Sequence, residues 1–191
     1  MISEIQHPDE LRHGLGPIWA AARVANPDFA ICGPVTFRTT AAFATDAEAW
    51  RKTIFEPVLL PALRATLTHA RRGELREICA VDVRLTDHLA APAGGNSRRA
   101  GRRLAQLGSE LRGDRLLPRL ADAAANGSTP GHLAIVFAAR CAAFSLHDRV
   151  AIGAYLFQEI CGGAPAAPVV EVCDFVADCI EEGPSLELEA A

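Results

Sequence analysis

One segment of this chain is apolar on every side of the helix that it predicts. Between Pro130 and Phe144 the single charged side chain is Arg140, and alanine fills five of the positions. A helix that is apolar all round is usually buried in the centre of a bundle, and alanine lets neighbouring helices approach closely. A second helix, from about Asp148 to Cys161, follows after a short connection. The pattern therefore predicts a buried central helix with a second helix next to it in sequence.

Helical periodicity also accounts for most of the remaining chain. Apolar residues recur at spacings of three and four, and the repeat is clearest where Ala100, Leu104, Leu107 and Leu111 lie on one side of an amphipathic helix. A length of 191 residues is enough for one domain with a substantial core. We predict an all-α, single-domain helical bundle of about seven or eight helices. The predicted divisions are a partly irregular N-terminal segment (1–44), the bundle (45–182) and an acidic, flexible tail (183–191).

Local sequence signals predict where several elements begin and end. The stretch from Thr45 to Glu48 has the spacing of a capping box, which predicts a helix start there. Thr129-Pro130 predicts the N-terminus of the central helix, because proline is favoured at the first helical position. Three further expectations are a break or restart of the helix at Pro57 and Pro61, a loop over residues 92–97, and a short extended piece from Phe29 to Phe37 as the one strand candidate.

Composition argues against several classes of protein. Half of the residues are hydrophobic and 22% are charged, which is typical of a globular chain. A net charge of −4 gives no general reason to expect a nucleic-acid partner. The longest apolar run, Leu133 to Leu146, is too short to cross ~30 Å of hydrocarbon, and the polar residues 1–16 do not form a secretory signal. The six cysteines lack C-x-x-C spacing, which favours reduced thiols and a cytoplasmic location.

Recognisable catalytic or metal-binding motifs are missing from the sequence. The histidines show neither H-x-x-H nor H-x-x-x-H spacing, and His132 beside Gly131 is interpreted as a polar residue at a helix end. The segment 94–97 precedes a helix and could bind an anion there, but it lacks the Gly-Lys-Ser/Thr ending of a phosphate loop. We therefore predict no catalytic residues, no metal ligands and no bound cofactor.

Four arginines cluster on the polar side of the amphipathic helix. They form two pairs four positions apart, Arg98 with Arg102 and Arg99 with Arg103. Such a cluster is either a solvated helix face or a docking surface for an acidic partner, since arginine pairs well with carboxylates. Tyr155, the only tyrosine, is expected to pack in the core with its hydroxyl group at the rim.

Three of these stretches together resemble the UreF family of urease accessory proteins. The family's Ser-x-x-Gly-Arg-x-Leu type of pattern is similar to the segment from Ser97 to Leu107, which contains Gly101-Arg102. The family's later Gly-His helix and Ala-Tyr-Leu element are similar to Gly131-His132-Leu133 and Ala154-Tyr155-Leu156. The helix around Trp50 fits the same order of elements. The resemblance covers roughly residues 45–160, and the chain departs from the family pattern at both ends.

The resemblance implies a function without chemistry of its own. It implies an all-helical protein that forms a homodimer and bridges a second accessory protein and a nickel-carrying GTPase to an apo-metalloenzyme. Docking, gating of GTP hydrolysis and delivery of nickel would be its contributions to metallocentre assembly. By this resemblance the partner-facing positions are Arg98, Arg102, His132 and Tyr155.

Two other classes of function stay open at the level of sequence. A helical small-molecule-binding or sensor domain is suggested by the apolar 133–144 region with His132 and Tyr155 nearby. An enzyme would have to use histidine and cysteine residues that are scattered in sequence and meet only in the fold.

Overall fold

The computed structural model of the protein describes residues 22, 25, 36–37, 42–107, 114–163, 174–176 and 178–179. Within these ranges the chain is all-α, as predicted, with seven α-helices, one π-helical segment and no strand. The strand candidate (apart from Thr36 and Phe37), most of the N-terminal segment and the acidic tail lie outside the described residues. In the part of the chain that is described, no helix is both long and apolar enough to cross a membrane.

The first helical stretch runs without a break through two prolines. Helix α1 (Phe43–Trp50) continues into a π-helical segment (Arg51–Leu59) and then into helix α2 (Leu60–Arg71). Pro57 lies inside the π-helical segment, where the wider turn accommodates a residue that cannot donate its backbone bond. Pro61 lies in the first turn of α2, directly after the π-helical segment ends. The helix therefore does not break at these prolines, but its α-helical pattern restarts at Leu60, next to Pro61.

Two helices start earlier than the local sequence signals predict. Helix α1 begins at Phe43 after Ala42, with no side-chain cap, so the capping box from Thr45 is not used. Helix α3 spans Leu75–His88, and helix α4 spans Ala93–Gln106 and so includes the expected loop over 92–97. A Cβ on Gly94 would lie 2.6 Å from the carbonyl oxygen of Leu89, so glycine permits this close approach at the start of α4.

The predicted central helix is confirmed, although it begins three residues late. Helix α5 spans Leu116–Ala125, and helix α6 spans Leu133–Ala143 rather than starting at Pro130. Every residue from 133 to 142 is buried, including Arg140. Helices α2 and α4 make the most extensive contacts with α6, and α5 and α7 also contact it. The core of the bundle is therefore built around α6.

Helix α7 (Asp148–Gly163) completes the described bundle and contacts the N-terminal part of the chain. The buried carboxylate of Glu159 accepts hydrogen bonds from Tyr155 Oη at 2.8 Å and from the backbone N–H of Thr36 at 3.2 Å. The Trp50 indole N–H donates to Thr36 Oγ1 at 3.1 Å. These bonds connect α7, the N-terminal segment and α1.

Candidate functional site

A buried carboxylate joins helix α3 to the connection between α5 and α6. Asp82 has no exposed surface, and its Oδ2 accepts hydrogen bonds from the Thr129 hydroxyl and the Gly131 backbone N–H, both at 2.6 Å. Its Oδ1 accepts a bond from the backbone N–H of His132 at 2.9 Å. Burying a carboxylate is costly unless it is hydrogen-bonded, and three donors meet that need here. The Thr129 hydroxyl group therefore donates to Asp82 and does not cap a helix.

Helix α4 approaches the same connection through its backbone. A Cβ on Gly101 would lie 2.2 Å from the carbonyl oxygen of Gly131 and 2.6 Å from the backbone nitrogen of Leu133. Ser97 Oγ, one turn earlier, accepts a hydrogen bond from that same Leu133 N–H at 3.1 Å. Gly131 has a φ of +74°, a conformation that favours glycine. The start of α6 is thus held between α3 and α4.

The side chain of His132 lies inside this junction. It is fully buried, and a 3.1 Å hydrogen bond joins its Nε2 to the hydroxyl group of Thr86, while Nδ1 has no partner. Burial lowers the pKa of His132 below its ordinary value; the Asp82 carboxylate opposes this shift, and the Arg98 and Arg102 guanidinium groups reinforce it. The structure therefore holds a neutral imidazole at this position.

The arginines of α4 surround the outer side of the junction. Arg102 is exposed, and its Nε donates a hydrogen bond to the Pro130 carbonyl at 2.9 Å. Arg98 is half-buried, and Arg99 and Arg103 are exposed. Among the described residues none of the four is ion-paired with a carboxylate. Arg102 therefore combines a positioning bond with a guanidinium group at the surface.

The structure brings three of the four sequence-predicted partner residues together. Arg98, Arg102 and His132 belong to the α3–α4–α6 junction, whereas Tyr155 belongs to the Glu159 network in α7 and packs against Phe137 with ring centroids 5.6 Å apart. His132 and Tyr155 have no exposed surface, and the hydroxyl group of Tyr155 is also inside rather than at the rim. A contribution of either residue to partner binding would act through the elements that it positions.

Two residues of these networks were not identified from sequence. Asp82 lies on the apolar side of α3, between Ile78 and Leu85, and a charged residue inside an apolar stripe is the signal that marks it. Glu159 occupies a similar position in α7, where the residues from 151 to 160 are all buried. A buried carboxylate needs donors, but the sequence does not say which distant residues supply them.

Among the described residues no three or more His, Cys, Asp or Glu side chains are grouped so that they could hold a metal ion. The thiol of Cys79 is half-buried at this junction, and burial raises its pKa, which disfavours the reactive thiolate. The 94–97 segment is helical, and Ser97 Oγ accepts a protein N–H instead of facing an anion.

Two pockets of the described structure can be compared with the small-molecule site suggested at His132 and Tyr155. A pocket of about 410 Å³ is lined by residues of α2 and the α6–α7 connection, including Arg71 and Leu146. A second pocket, of about 260 Å³, lies between the π-helical segment, α2 and α3 and includes Pro57 and His88. Neither includes His132 or Tyr155.

Comparison with known proteins gives one match. Residues 43–167 match the model of the UreF family. That range begins at the first residue of α1 and extends past the end of α7, so it includes every α-helix described above. It also includes the contacting pairs Gly101-Arg102 and Gly131-His132. A search of curated proteins and a search of solved structures found no match to the chain.

Proposed function

Because this chain belongs to the UreF family, we propose that it is a non-enzymatic accessory protein that bridges partner proteins during assembly of a nickel metallocentre. The family is one of urease accessory proteins rather than enzymes. The partners that fit the proposal are a second accessory protein, a GTPase and an apo-metalloenzyme. We place this activity in the cytoplasm and propose that the working form is a homodimer.

One observation carries the proposal most directly: the family match includes the seven α-helices bounded in the described part of the chain, together with the junction of α3, α4 and α6. Within that junction the ionisable groups form hydrogen bonds that hold the fold. Asp82 is saturated with backbone and hydroxyl donors, and His132 is buried and neutral. Groups used in this way give a rigid surface to partners, which is the requirement for a protein that docks and positions others.

The test begins with purification of the tagged full-length chain from its native host, followed by mass spectrometry of the proteins that accompany it. We expect a GTPase and subunits of a nickel enzyme in stoichiometric amounts. An eluate that holds this chain alone, at several salt concentrations, would contradict the proposal.

A second experiment tests the role in metal delivery. The chain is deleted from the host, and the target enzyme found by purification is isolated and assayed for nickel. We expect the enzyme to be present at normal levels but poor in nickel, with recovery when the chain is supplied again. A full nickel content in the deletion strain would exclude a role in assembly. Light scattering of the purified chain tests the homodimer separately.

A further inference from the structure

The outer side of α4 presents a surface of unneutralised positive charge, which we call the arginine face. It consists of the two rows Arg98–Arg102 and Arg99–Arg103, with Leu107 one turn after Arg103. Helix α4 holds no carboxylate, and among the described residues none of the four arginines forms an ion pair. Like charges four residues apart on a helix repel each other. Nothing in the described part of the chain therefore relieves the repulsion on this face.

Three other basic residues of the described fold are paired with carboxylates. Arg51 pairs with Glu48 and Glu56, Lys52 pairs with Glu48, and Arg71 pairs with Asp148. The arginine face is thus a cluster of four positive charges on one helix of a molecule whose net charge is −4. A partner that supplies carboxylates would relieve the repulsion and form bidentate hydrogen bonds with the guanidinium groups.

An apolar side chain borders the charged rows. Leu107 is 41% exposed and is one of only two large hydrophobic residues that are exposed in the described part of the chain. Protein interfaces are enriched in arginine and commonly have an apolar anchor near their centre. The phosphates of a nucleic-acid backbone would pair with the arginines but would offer no apolar surface to the exposed Leu107 side chain. The combination therefore favours a protein partner.

The arginine face is also fixed in position before any partner binds. Gly101 packs directly against the backbone of Gly131, and the Nε of Arg102 is bonded to the Pro130 carbonyl. These contacts hold the backbone of α4 against the start of α6. A surface that is ordered in advance loses less conformational entropy on binding.

We propose that the arginine face is the docking surface for an acidic protein partner of the assembly complex. The partner surface would carry paired carboxylates about one helical turn apart, opposite the arginine rows, and an apolar depression for Leu107. The inference rests on the proposed function, because it assigns one of the bridging contacts to a defined surface.

The experiment compares charge reversal on this face with the same change elsewhere. The double variant Arg99→Glu/Arg103→Glu removes the exposed row and leaves the Arg102–Pro130 bond in place. The control, Arg76→Glu/Arg84→Glu, makes the same charge change at exposed positions of α3. A milder variant, Arg99→Gln/Arg103→Gln, is used if the reversal impairs folding as judged by circular dichroism. Each tagged full-length chain is purified from the host, and every accompanying protein is identified and quantified.

We expect the reversal to lower the recovery of one assembly protein by about tenfold or more, with the control unchanged. Replacing glutamates on the acidic surface of that protein by lysine should restore its binding to the reversed chain. Equal recovery by wild type and the reversed variant overturns the inference but leaves the proposed function standing. Failure of the wild type to recover any assembly protein contradicts the proposed function itself. Tight, salt-sensitive binding of a 20-base-pair DNA duplex, lost in the reversed variant, would show a nucleic-acid surface and also overturn the inference.

Discussion

The carboxylate of Asp82 accepts a hydrogen bond from the backbone N–H of His132 at 2.9 Å, although the two residues are 50 positions apart in sequence. Through this bond and the bonds to Thr129 and Gly131, one side chain of α3 determines how the chain enters the central helix α6. Helix α4 contacts the same point through Gly101. The position of the arginine face relative to the core therefore depends on a buried acidic residue in another helix.

Replacement of Asp82 by asparagine is expected to destabilise the protein. Asparagine has one acceptor oxygen, whereas both oxygens of Asp82 accept hydrogen bonds. The amide NH2 group would therefore face a buried donor, and that donor would lose its acceptor. A buried unsatisfied donor costs about 1–3 kcal/mol, and we expect a loss of at least this size. Urea unfolding followed by circular dichroism measures it, with the exposed Asp87→Asn on the same helix as the control. Equal unfolding midpoints for Asp82→Asn and wild type would show that the network does not stabilise the fold.

Two glycines of α4 are expected to respond to alanine in opposite directions. A Cβ on Gly101 meets backbone atoms at 2.2–2.6 Å, so Gly101→Ala should separate α4 from α6 and cost about 1–3 kcal/mol. A Cβ on Gly95 meets nothing within 4 Å, so Gly95→Ala should stabilise the helix by about 0.5 kcal/mol. Thermal unfolding of both variants gives the comparison. A Gly101→Ala protein as stable as wild type would contradict the close contact between these helices.

The sequence predicts the central helix because an uninterrupted apolar segment is stable only when it is buried. Residues 133–142 are apolar with a single exception, and any arrangement that exposed them would be unfavourable. Arg140 is the exception, and its Nε donates to the Ala25 carbonyl at 2.7 Å, a partner 115 positions away. The pattern thus predicts that the helix is buried, but it does not predict what satisfies its one charged side chain.

The ends of helices and the interior of the junction depend on tertiary contacts that local signals do not include. Thr129 has the sequence signature of a helix cap but bonds to Asp82, and the N-terminal residues of α4 are helical because Gly94 allows close contact with Leu89. His132 was chosen from sequence for its position beside Gly131, and the structure places it inside. The exposure of a residue at a helix end depends on which other elements pack against it, and local sequence does not identify those elements.

The Tyr155–Glu159 hydrogen bond should be measurable as a coupling energy between substitutions of the two residues in unfolding experiments. Tyr155→Phe removes the donor to Oε1 of a fully buried carboxylate, and we expect a loss of about 1–3 kcal/mol in the free energy of unfolding. Glu159→Leu removes the acceptor with an apolar side chain of similar size. If the two residues interact, the double variant should lose less than the sum of the single losses. Additive losses in urea unfolding would mean that the 2.8 Å bond does not contribute to stability.

The burial of His132 predicts that acid weakens the fold. Its folded-state pKa is lowered from the ordinary value of 6.5, mainly by burial, so the folded state binds fewer protons than the unfolded state. The contribution of this residue is therefore fully present above pH 6.5 and is lost progressively as the pH falls below 6.5 toward the folded-state pKa. Protonation would place a cation close to Arg98 and Arg102, with Asp82 as the compensating charge.

Urea unfolding midpoints at pH 7.5, 6.5 and 5.5 test this expectation for wild type and two variants. His132→Gln keeps a polar group near Thr86 but does not titrate, so it should be less stable at pH 7.5 and should lose less stability between pH 6.5 and 5.5 than wild type. The exposed His88→Gln is the matched control for the loss of a histidine side chain elsewhere on the fold. If His132→Gln and wild type lose the same stability over this interval, His132 is not the group responsible for the acid sensitivity of the fold.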